Sequence, residues 1–98
     1  MINLEEVFER LSEDEFLKFD RIQNKLHPRP DVCAFLFLDK LVPPVEGIDM
    51  VSGSKHDEIW LDVNCDKLSM VATEEDIVTL VRCGVRYDSE YHSLAMFT

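Results

Sequence analysis

Two proline pairs bracket the most apolar stretch of the chain and decide where helices can and cannot run. Pro28 and Pro30 precede Val32-Cys33-Ala34-Phe35-Leu36-Phe37-Leu38, and Pro43-Pro44 follow it. Proline lacks a backbone donor and pushes the preceding residue away from helical geometry, so each pair ends whatever helix reaches it. The run between them is apolar on every side, and periodicity alone fits a buried helix and a buried strand equally well. Asp31 as a cap, the Ala and Leu content, and the continuation through Asp39, Lys40 and Leu41 favour a helix over about 31–42.

Upstream, Asn3 and Glu6 have the spacing of a capping box, and Leu4, Val7, Phe8 and Leu11 recur at helical intervals. Ser12 and Glu15 repeat the capping signal, while Phe16, Phe19, Ile22 and Leu26 extend the apolar stripe. The spacing predicts helix over about 4–26, as a short helix turning into a longer one at Ser12 or as one continuous helix. Downstream of Pro44 the period shortens. Ile48 to Ser52 and Glu58 to Asn64 read as strands joined by the five-residue loop Gly53-Ser54-Lys55-His56-Asp57. Alternation along the second strand sets Ile59, Leu61 and Val63 on one face and Glu58, Trp60, Asp62 and Asn64 on the other.

Asp66 to Val71 suits a short helical turn. Thr73 and Asp76 cap a helix over about 74–83, with Ile77, Leu80 and Val81 on one side and Gly84 as its stop. Val85 to Tyr87 and Ser93 to Phe97 form a last strand pair around Asp88-Ser89-Glu90. With no repeat, linker or low-complexity segment, residues 1–98 are expected to make one compact α+β domain, with N-terminal helices (about 4–26 and 31–42), two antiparallel hairpins (about 48–64 and 85–97) and a helix at about 74–83.

Charge narrows the function. The chain carries 20 Asp and Glu against 10 Lys and Arg, a formal net charge of −10. That sign repels a phosphate backbone, which is normally held by clustered cations, so direct nucleic-acid binding is not expected. Residues 1–49 and 50–98 share the excess equally, which rules out a charged tail. Three cysteines, Cys33, Cys65 and Cys83, are too few and too odd for a disulfide scaffold; with no leader-like pattern after Met1, a cytoplasmic location is expected. The longest apolar run falls far short of the roughly 20 residues that span a bilayer, so no membrane partner is expected.

Motifs for chemistry are sparse. Asp62-Val63-Asn64-Cys65-Asp66 matches the first half of a calcium-binding loop, but the sixth position is Lys67 where glycine is needed and the twelfth is Thr73 where a bidentate Glu is needed. Neither the cysteines nor His27, His56 and His92 have zinc-ligand spacing, which leaves only a composite site assembled in space. Val51-Ser52-Gly53-Ser54 is not a nucleophile elbow, and three glycines provide no phosphate loop. No catalytic residue, metal or cofactor is therefore assigned.

What remains is surface. Glu5-Glu6, Glu13-Asp14-Glu15 and Glu74-Glu75-Asp76 sit at expected helix starts, where the helix dipole favours them. Asp57-Glu58 has no such explanation, and it lies beside Trp60, a residue type that dominates binding hot spots. Helices packed over that second strand face would instead make Trp60 core, and Tyr87 and Tyr91 pose the same question. The expected function is a non-enzymatic acidic interaction module, a small regulator or inhibitor that docks on a basic protein surface, with a nucleic-acid mimic as its sharper form. By size and charge alone it is analogous to bacterial and viral accessory proteins. Its expected contact residues are Trp60, Asp57, Glu58, Asp62 and Asp66. The alternatives are a structural homodimer formed through Trp60 or Val32 to Leu38, and a small metal-dependent enzyme around His56.

Overall fold

The computed structural model describes residues 1–97. Helix α1 runs from Leu4 to Glu15, with the Asn3 side chain accepting from the Glu6 N–H at 3.1 Å. Half of the expected capping box forms, because the Glu6 carboxylate pairs with Arg10. The helix expected over 4–26 stops at Glu15. Ser12 does not start a new helix; its hydroxyl donates back to the Phe8 carbonyl at 2.6 Å inside α1. Leu17 then takes φ 62, and its N–H donates across to the Val81 carbonyl at 3.1 Å. A long-range contact thus replaces the helical bond that the spacing implied. Phe16, Phe19 and Ile22 still pack on the core, but from an irregular segment holding one 3₁₀ turn, Phe19–Arg21.

Helix α2 spans Pro30–Leu41, so the apolar run is helical. Pro30 occupies the first turn, where a missing N–H costs nothing, and Arg29 is the cap position in place of Asp31. Asp31 lies inside the first turn and accepts from the Val32 N–H at 2.9 Å. The run is apolar all round yet buried on one side only: Cys33, Ala34 and Leu38 are enclosed, while Leu36 is exposed.

Strands β1 (Val51–Lys55) and β2 (Glu58–Leu61) form the first hairpin, tighter than expected, with Lys55 opposite Glu58 and only His56-Asp57 between them. His56 takes φ 57 to close this turn, and a bulge falls between Val51 and Gly53. The second strand ends at Leu61 instead of Asn64. The Asp62 N–H donates to the Met50 carbonyl at 2.6 Å, and the Asn64 side chain turns to cap α3 (Cys65–Val71) by accepting from the Lys67 N–H at 3.0 Å. Helix α4 (Glu74–Arg82) has the reciprocal Thr73–Asp76 capping box, and Gly84 at φ 97 follows its end. Strands β3 (Arg86–Asp88) and β4 (Ser93–Phe97) make the second hairpin.

The hairpins join through β2 and β4 into one antiparallel sheet of order β1-β2-β4-β3. Leu61, Leu94 and Met96 point into the core with Phe8, Leu38, Leu68, Ile77, Leu80 and Val85, so the helices lie against that face. The radius of gyration, 12.3 Å, is that of one globule of this length, for which about 12.6 Å is typical. No helix of the described residues is long and apolar enough to cross a membrane.

Candidate functional site

Among the described residues, no helix lies on the opposite sheet face. Register places Trp60 opposite Ala95 and Ala95 opposite Arg86, while Glu58 lies opposite Phe97. Side chains alternate along a strand, so these residues share the face turned away from Ile59 and Leu61. Ala95 is fully buried without belonging to the main core cluster. It is roofed by the larger side chains flanking it, Trp60 on one side and Arg86 on the other.

Trp60 is half-buried and held in place. Its indole N–H donates to Asp88 Oδ2 at 3.0 Å, the Tyr91 ring meets it edge-on with centroids 5.4 Å apart, and its benzo edge lies over Gly53, where an added Cβ would stand 3.8 Å away. The indole bond holds the Asp88 carboxyl below the ordinary aspartate range, supported by the Glu90 and Tyr91 backbone N–H groups. Beside it Arg86 pairs with Glu58 and stacks on the Phe97 ring, 4.5 Å from its centroid. Among the described residues, Arg86 Nε is buried without a hydrogen-bond partner, while Nη2 pairs with Glu58.

Tyr91 and Phe97 are 59% and 61% exposed, which makes this face aromatic at its outer surface. Asp57 and Glu90 border the same shallow depression as Trp60, and both are exposed without a cation within 4 Å among the described residues. Trp60, Asp57 and Glu58, read from the sequence as contact residues, therefore gather in one place. Asp62 lies beyond the end of β2 against the 42–50 loop, and Asp66 lies in the first turn of α3. Sequence reasoning missed Phe97, Arg86 and Asp88. Alternation in β4 pairs Phe97 with Ala95, but which face they share with Trp60 depends on the β2–β4 register.

Apart from the neighbouring Cys33 and Cys83 thiols, the residues considered for other chemistry are dispersed. Among the described residues, no group of three or more His, Cys, Asp or Glu side chains is placed to hold a metal ion. The His27 ring accepts from the Arg29 N–H, and His92 pairs with the Tyr87 hydroxyl. Cys33 and Cys83 are buried. Burial, with the neighbouring Cys33 thiol second, pushes Cys83 up to about 12, far from the thiolate that reactive cysteines need.

Fold and surface together define a small α+β domain with helices on one sheet face and an aromatic, acid-bordered opposite face. Comparison with protein-family models, curated proteins and solved structures finds no match to this chain.

Proposed function

We propose that the chain is a non-enzymatic acidic interaction module, a small regulator or inhibitor that docks on a basic surface of a protein partner through the open sheet face. One observation carries the reading: Trp60, Tyr91 and Phe97 stand on a face that no helix of the described residues covers, bordered by Asp57 and Glu90, whose carboxylates have no cation within 4 Å among those residues. An aromatic anchor fixed by its own hydrogen bond binds with little loss of side-chain freedom, and the surrounding charge steers a cationic partner into register. The net charge of −10 acts at longer range in the same sense. A partner that normally holds nucleic acid has the complementary field, which is the form a nucleic-acid mimic requires.

A pull-down from the native host, followed by titration of the captured partner, tests this. Trp60→Ala is expected to weaken binding by about 2 kcal/mol or more, as hot-spot truncations do. Asp57→Asn with Glu90→Gln is expected to slow association and flatten its salt dependence. Affinity that stays constant between about 0.05 and 0.5 M salt, where the Debye length falls to a few Å, would sink the proposal.

A further inference from the structure

We infer that a second surface, the groove between α2 and the 42–50 loop, binds a short extended peptide segment in which a basic residue neighbours an aliphatic one. The groove encloses about 460 Å³ and lies at the opposite end of β2 from the His56-Asp57 turn, sharing no residue with the Trp60 depression. Its floor is apolar, made by partly buried Phe35, Val42, Met50 and Val63. Its rim carries Val45 and Ile48, 74% and 53% exposed.

The loop that forms the outer wall is built rather than slack. Pro43 and Pro44 fix two φ angles, and the Ile48 N–H donates to the Val45 carbonyl at 3.2 Å across a turn with Gly47 at φ 86, the positive value such a turn needs at its third residue. The Asp62 N–H pins Met50 to the end of β2. Val45 and Ile48 are thus presented to solvent by a turn with its own hydrogen bond.

Charge identifies the occupant. Asp39, Asp49 and Asp62 line the groove against a single cation, Lys67, and none of the three has a cationic partner within 4 Å among the described residues. An apolar floor under a carboxylate rim suits an aliphatic side chain inserted between flanking Lys or Arg groups. The volume falls in the range of small ligand sites, so the recognised unit is a few residues of a protein partner.

The test uses a fluorescein-labelled peptide of alternating arginine and leucine, six residues long by design, titrated into the whole chain at about 0.1 M salt. Three variants are compared: Asp39→Asn/Asp49→Asn/Asp62→Asn, the charge-matched Glu9→Gln/Glu13→Gln/Asp14→Asn on α1, and Ile48→Ser. The groove triple variant is expected to lose about tenfold in affinity and Ile48→Ser about fivefold, while the α1 variant changes by less than about twofold. Amide resonances of Val45, Ile48 and Asp62 are expected to shift on binding, with the Trp60 indole resonance unmoved. An equal loss in the α1 variant, full affinity in Ile48→Ser, or equally tight binding of spermine, which has charge without an aliphatic side chain, would each overturn the inference. Shifts confined to the Trp60 indole would overturn it while leaving the sheet-face reading intact, and loss of the host partner by Trp60→Ala alone bears only on that reading.

Discussion

Trp60 turns outward because it follows Ile59 and precedes Leu61 on a strand, and those two neighbours face the core. Its exposure is then limited by partners of its own: Asp88 accepts from the indole and Tyr91 packs edge-on. The residue is neither core nor a loose surface aromatic. Gly84 is a second position where one side chain's absence decides local geometry. At φ 97 any L-residue is strained, and an added Cβ would lie 2.7 Å from Leu17 Cδ2. Leu17 is exposed and can swing away, so the backbone carries most of the cost. Gly84→Ala is expected to lose about 1–2 kcal/mol in urea denaturation, and adding Leu17→Ala is not expected to restore it. Unchanged stability in the single variant would contradict the strain argument.

At the scale of elements, the end of α1 shows how a tertiary contact overrides a sequence pattern. Glu15 has the spacing of a helix-start residue, yet its carboxylate takes Arg82 Nε from the end of α4 at 2.5 Å and Arg21 from the 3₁₀ turn at 2.6 Å. The Arg82 hydrogen bond holds the Glu15 carboxyl below the ordinary glutamate range, with Arg21 adding to it. A carboxyl depressed in the folded state stabilises fully above its unfolded pKa, roughly 4.3, and loses that contribution as pH falls through the lower folded value. The stability gap between the native chain and Glu15→Gln is therefore expected to be greatest near about pH 7 and to close below about pH 4. Urea denaturation across that range checks it, and a gap independent of pH would show that Glu15 acts through packing alone. The same contact explains why Phe16, Phe19 and Ile22 pack on the core without belonging to an α-helix: their spacing records burial on one side, which an irregular segment with one 3₁₀ turn also satisfies.

For the whole molecule, charge is the dominant property. The ion pairs of the described residues engage four arginines and four glutamates, so the excess of ten negative charges remains uncompensated. Self-repulsion of that excess opposes the compact state and is screened by salt. Raising NaCl from about 0.02 to 0.5 M is expected to raise the melting temperature by about 4–8 °C, the shift that roughly 1 kcal/mol produces in a domain of this size. A melting temperature that falls with salt would mean that the arginine–glutamate pairs outweigh the repulsion. The outer edge of β1, which no strand of the described residues pairs with, matters at this scale too. The bulge at Val51/Gly53 and the exposed Lys55 blunt it, as sheet edges usually are blunted against strand-to-strand association.

Local chemistry determined much of this protein from the sequence alone: the prolines bounded α2, Thr73 and Asp76 capped α4, Gly84 ended it, and alternation turned Trp60 away from Ile59 and Leu61. These features depend on backbone geometry within a few residues, which residue type controls directly. Other features depended on partners distant along the chain. The stop of α1 came from Val81 and Arg82, the short β2 from Met50, and the gathering of Trp60 with Asp88, Tyr91 and Phe97 from the β2–β4 register. Asp62 and Trp60, two residues apart and on one face by alternation, were separated because the strand ends between them. Only the tertiary structure decided these, because side chains far apart in the chain compete for the same backbone groups and the same buried space, and that competition has no local signature.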